Sequence, residues 1–153
     1  MDQLAIVLKP MKYSFETNGV VHENETPVVE FVINGQALSR ILRIKRDLDN
    51  CGCDLDPGTK KTLPAVYDEF IDVLAGNAPP HNQFGTPRAV LYRCHCGCDY
   101  CGVISCAISR SGQTITWGRL GYENDHPPKR GRSYTFDLDA YLAEIARFVK
   151  ESA

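Results

Sequence analysis

Val103-Ile104-Ser105-Cys106-Ala107-Ile108-Ser109-Arg110-Ser111-Gly112-Gln113-Thr114-Ile115-Thr116-Trp117-Gly118-Arg119-Leu120 decides the fold. Apolar and polar side chains alternate on both sides of Ser111-Gly112, the signature of two strands joined by a tight turn. Ile104, Cys106 and Ile108 share one face of the first strand. Ile115 and Trp117 share a face of the second and point to the core. Cys106, set between Ile104 and Ile108, reads as core.

The pattern continues in both directions from this hairpin. Upstream, Arg88 to Cys96 reads as a strand with Val90, Tyr92, Cys94 and Cys96 on one side. Downstream, Asp137 is an N-cap for a last helix to Lys150, with Leu138, Tyr141, Leu142, Ile145, Phe148 and Val149 as its apolar stripe. Near the start, Leu4 to Leu8 and the alternating Val29, Phe31 and Ile33 give two more strands. Asn34-Gly35 turns the second into a short helix at Leu38, Ile41 and Leu42. Asp47 to Lys61 reads as an acidic loop. Thr62 and Pro64 start a further helix that ends at Gly76, with Val66, Phe70, Val73 and Leu74 inward. Tyr122 to Ser133 reads as a polar loop. The predicted architecture is α+β over residues 1–153: one domain, a mostly antiparallel sheet, and two or three packed helices.

At 153 residues the chain is long enough to bury a core. Net charge is −2, from 17 basic and 19 acidic residues, which argues against nucleic-acid binding through bulk charge. The N-terminal Met1-Asp2-Gln3-Leu4-Ala5-Ile6-Val7-Leu8 has no basic stretch before its short apolar run, so it reads as a strand and not a signal peptide. No apolar stretch reaches membrane-spanning length. These features predict a cytoplasmic protein, in which the seven cysteines stay reduced.

Four cysteines crowd into Cys94-His95-Cys96-Gly97-Cys98-Asp99-Tyr100-Cys101. Cys94 and Cys96 share a side of their strand, Gly97 permits a sharp turn, and Cys101 swings back. This is a three-thiolate half-cage for a structural zinc, which takes four sulfur or nitrogen ligands in a tetrahedron. The fourth ligand is left among Cys98, His126 and a thiol of Cys51-Gly52-Cys53, with Cys98 first and His126 next. The bland reading is that these thiols are small buried hydrophobes. A redox Cys98-x-x-Cys101 is disfavoured, because the motif lies between strands and beside Asp99 rather than at a helix N-terminus. His95 faces away from its neighbouring thiols and reads as a surface residue. Asp47-Leu48-Asp49-Asn50-Cys51 fails as a calcium loop, since Cys51 stands where an Asp or Asn is needed and Gly58 where a Glu is needed. The acidic set Asp47, Asp49, Asp54 and Asp56 reads as a solvated loop or a docking patch.

Arg88 to Gly97, then Cys101, then Ile115-Thr116-Trp117, resembles a family of uncharacterised bacterial proteins. Their pattern is a strand ending in Cys-x-Cys-Gly, a Cys four residues on, a Trp-bearing hairpin, then Phe-Asp and a final helix, matched here by Phe136-Asp137 and Tyr141. Cys98, Cys51 and Cys53 depart from that pattern. The resemblance implies a fold and a cysteine site but no activity. With no catalytic constellation in the sequence, the expected function is a non-enzymatic interaction protein. Its specific form would be an immunity protein that neutralises a partner toxin. The alternative is a thiol- or zinc-dependent enzyme using Cys94 to Cys101.

Overall fold

A computed structural model describes all residues, 1–153. Two antiparallel sheets face a shared core. The first joins β1 (Leu4–Thr17), β2 (Val20–Ile33) and β3 (Gln36–Ala37) in the order β1-β2-β3. The second is a meander of β4 (Ala89–Tyr92), β5 (Val103–Ser111), β6 (Thr114–Glu123) and β7 (Arg132–Asp137). Between them in sequence come α1 (Leu38–Ile41), α2 (Pro57–Thr62) and α3 (Pro64–Leu74); α4 (Leu138–Glu151) closes the chain. The α+β class holds, with two sheets where the sequence suggested one.

The late hairpin and the last helix are as expected. Ile115, Trp117 and Cys106 are fully buried. The Asp137 carboxylate caps α4 by accepting the Ala140 N–H at 3.0 Å. Trp117 Nε1 donates to the Tyr141 hydroxyl at 2.9 Å, and that hydroxyl donates to the Leu74 carbonyl at 2.7 Å. One polar chain thus ties β6 to α4 and α3 inside an aromatic cluster of Phe31, Trp117, Phe136 and Tyr141. Ile145, 5 % exposed, faces this core from α4. Ile145→Asp is expected to destabilise by about 3 kcal/mol or more, because it buries a carboxylate with no partner. Chemical denaturation checks this; a variant as stable as the parent would mean that α4 is not docked through Ile145.

Several segments differ from the sequence reading. The strand β7 is an addition, and both ends of the expected Tyr122 to Ser133 loop lie in strands, Tyr122 and Glu123 in β6 and Arg132 and Ser133 in β7. The first two strands are far longer than Leu4–Leu8 and Val29–Ile33. They form a 14-residue ribbon turning at Asn18-Gly19, both at positive φ (52° and 78°), the pair favoured in two-residue hairpin turns. The outer half of the ribbon is exposed on both faces, so it carries no apolar alternation to read. Within Asp47 to Lys61, the stretch from Pro57 is helical. Asp56 is also buried and not solvated: its carboxylate accepts the N–H groups of Val29 at 2.7 Å and Cys53 at 2.9 Å.

Burial outweighs those hydrogen bonds and pushes the Asp56 carboxyl up to about 6. A folded pKa above the unfolded value favours protonation on folding. The stabilising contribution is therefore full below about pH 4 and is lost as pH rises through about 6. Over that window Asp56 is expected to remove up to about 2 to 3 kcal/mol of stability. Denaturation midpoints from pH 4 to 7 check this, with Asp56→Asn expected to flatten the dependence.

Candidate metal centre

The strand leading to the cysteines stops earlier than expected, at Tyr92. Beyond it the chain is held by an added partner. Arg93 and Gly52 exchange two backbone hydrogen bonds (2.9 and 2.8 Å), and His95 N–H donates to the Leu48 carbonyl at 2.8 Å. Cys94 to Gly97 then forms a tight turn, closed by Gly97 N–H on the Cys94 carbonyl at 3.0 Å, with Gly97 at φ 77°. A single 3-10 turn at Asp99–Cys101 brings the chain back.

This path brings three sulfurs together. The Sγ atoms of Cys94, Cys96 and Cys101 all lie within 4.8 Å of one another, close enough to hold a metal ion. Cys96 and Cys101 are 3.6 Å apart, near the sulfur–sulfur edge of about 3.8 Å that Zn–S bonds of about 2.3 Å impose on a tetrahedron. Cys94 is buried at the base, whereas Cys96 and Cys101 are exposed, so the set opens to solvent. Convergence therefore comes from a hydrogen-bonded turn and not from two strand positions sharing a face.

Cys96 and Cys101 hydrogen-bond through their sulfurs at 3.6 Å. The backbone N–H of Cys98, then the thiols of Cys94 and Cys101, hold the Cys96 thiol below its usual value. Donation of its S–H to Cys96, then to Cys94, pushes Cys101 up to about 12. Of the two exposed thiols, Cys96 is thus the one that gives up its proton more readily. A cation replacing the thiol protons would take three thiolates, the ligand form that metals need.

The other expected ligands lie outside this set. Cys98 is half-buried and is the residue from which the 3-10 turn springs. His126 is exposed on the loop between β6 and β7. His95 is exposed, as expected, but it does not face away from the thiols: its Nδ1 lies 3.5 Å from Cys94 Sγ and 2.9 Å from the Leu48 carbonyl, the latter fixing that nitrogen as a donor. Cys51 and Cys53 are buried, and desolvation raises both thiols, Cys53 the more. Burial likewise pushes Cys106 up to about 12. These three are protonated packing residues.

A clamp that sequence reasoning missed positions the loop. Asp99 is fully buried; its carboxylate accepts the Gln83 N–H at 2.9 Å and sits 3.0 Å from Arg93 Nη1. Gln83 returns two bonds, accepting Asp99 N–H at 2.9 Å and donating to the Gly97 carbonyl at 2.8 Å. Nothing in the local pattern around Gln83 signals a partner 16 residues away. Comparison of the chain with family models, curated proteins and solved structures finds no match. No helix of the chain is long and apolar enough to cross a membrane.

Proposed function

We propose that this chain is a non-enzymatic bacterial interaction protein in which Cys94, Cys96 and Cys101 hold a structural zinc. The observation that carries the metal reading is the convergence of the three sulfurs on a turn clamped from both sides. The zinc fastens the 94–102 loop to the end of β4. The fourth place is assigned first to Cys98, whose N–H already reaches the Cys96 sulfur, and then to His126. Because ligands must shed protons, affinity rises with pH.

Alkylation tests it. In metal-free protein, iodoacetamide is expected to modify the exposed Cys96 first, because its thiol is held below the usual value, and one equivalent of zinc is expected to protect it. Labelling that zinc leaves unchanged would refute the site. Fast labelling of Cys98 or Cys101 in the zinc-loaded protein would instead favour the thiol-enzyme reading, for which the open outer side of the cluster is the supporting feature.

The specific form of the interaction role is an immunity protein bound to a toxin. The support is the outer half of the β1–β2 ribbon, which presents Phe15, Val20 and Val21 to solvent at 46, 56 and 64 % exposure. Phe15 and Val20 lie on one face of the ribbon and Val21 on the other, and an exposed apolar patch marks a binding surface where its side chains are contiguous. Co-expression with the product of the neighbouring reading frame, followed by pull-down, tests this form. A neighbour that is neither toxic nor bound would remove it while leaving the metal reading intact.

A further inference from the structure

We propose that two copies of this chain associate through the outer edge of β1, over Met11–Thr17, forming a continuous antiparallel sheet centred on Ser14. The direction of the backbone groups follows from two prolines. Pro10 stands opposite Pro27 in the β1–β2 register. Neither has an N–H, so this pair exchanges no hydrogen bonds and both residues turn their backbone groups away from each other. With no shift in that register, the even-numbered residues of β1 all point their N–H and C=O outward. Ile6 bears this out, since its N–H donates to the Glu144 carboxylate at 2.7 Å and its carbonyl accepts from Arg147 at 2.7 Å.

At the base of the ribbon, outward groups are satisfied by such side chains. On β2 the outward N–H groups of Val29 and Phe31 go to Asp56 and Tyr92. Farther out, no loop or side chain bonds the backbone of Lys12, Ser14 or Glu16, and β1 is an edge strand. A free strand edge is a template for another strand.

The sequence of that edge is complementary to itself. Pro10 ends the free stretch on one side and the turn at Asn18 ends it on the other. Ser14 is their midpoint. Antiparallel pairing about Ser14 sets Lys12 opposite the partner's Glu16, and Glu16 opposite the partner's Lys12. It also sets Tyr13 opposite the partner's Phe15 on the other face. Opposite charges and aromatic pairs directly across strands both stabilise. The pairing is isologous, so it closes as a dimer. The outer edge of β2 lacks this property: the same construction between Pro27 and the turn places Glu23 opposite the partner's Glu23, a like-charge pair that repels. Seven-residue strands bury less than a standard interface, so the dimer is weak and reversible.

Sedimentation of the full chain from about 1 µM to 1 mM reads the association. A concentration-dependent dimer is expected. Ser14→Pro removes an outward N–H that the ribbon itself does not use, so it should weaken the dimer by about tenfold or more while leaving the melting temperature unchanged. Lys12→Glu should weaken it too, and the Lys12→Glu, Glu16→Lys swap should restore it. Ser14→Cys places two thiols on the two-fold axis at a Cα separation of about 5.5 Å, within disulfide range, so mild oxidation should cross-link it well beyond the parent and beyond Glu23→Cys. A monomer at the highest concentration, or a dimer indifferent to Ser14→Pro, would overturn the proposal.

Discussion

Arg46→Met is expected to cost the fold roughly 3 to 5 kcal/mol. The Arg46 side chain is 3 % exposed and pairs with Glu30, itself 2 % exposed, at 2.8 Å. It donates as well to the carbonyls of Val29 (2.9 Å), Asn50 (2.9 Å) and Cys51 (2.8 Å), and its guanidinium lies 3.7 Å from the centre of the Tyr92 ring. Methionine keeps much of the volume but strands three carbonyls and a carboxylate. Glu30 retains the Ser39 and Tyr92 hydroxyls and Lys9 at 3.4 Å, so the loss is partial and not complete. Burial alone would raise the Glu30 carboxyl; the Ser39 and Tyr92 hydrogen bonds, with the Arg46 and Lys9 charges, together hold it below its ordinary value. Without Arg46 that balance tips upward, so the deficit should shrink as pH falls and Glu30 takes a proton. Denaturant titration of Arg46→Met, Glu30→Gln and the double variant reads the coupling. Additive effects would mean that the pair is not a unit.

Cys94→Ser is expected to release the metal and lower stability by several kcal/mol, because structural zinc couples on the order of 10 kcal/mol of binding to folding. Cys94 is the buried ligand, and it follows directly on the Gly52–Arg93 bridge that joins the Leu48–Cys53 segment to β4. Its loss therefore loosens two loops at once. Arg46 holds the same segment from the other side through Asn50 and Cys51, so the two variants should not be independent. Cys106→Ser should keep the metal and cost only about 1 to 3 kcal/mol, from a hydroxyl placed in an apolar site. Thermal melts with and without a chelator separate the two cases. A chelator that leaves the parent melt unchanged would detach stability from metal.

Side chains that repeat on one face, such as Ile115, Trp117 and the Leu138 to Phe148 stripe, were legible because a half-buried element stamps its period on the sequence. The outer ribbon was not, since a strand wet on both faces has no period to show. The cysteine grouping was legible from spacing alone. Its cause was not: Cys94, Cys96 and Cys101 meet through a turn anchored by Leu48, Gly52 and Gln83, and contacts across tens of residues leave no local trace. The acidic loop misled for a related reason. Asp56 looks solvent-bound until Val29 N–H and Cys53 N–H are seen to converge on it.

Metal content of the protein purified without added zinc tests the central claim most directly. One zinc per chain is expected in the parent and in Cys106→Ser, with less than about a tenth of that in Cys94→Ser and Cys96→Ser. A parent free of metal, and equal small stability losses at Cys94, Cys96, Cys101 and Cys106, would contradict the account and leave the cysteines as packing residues.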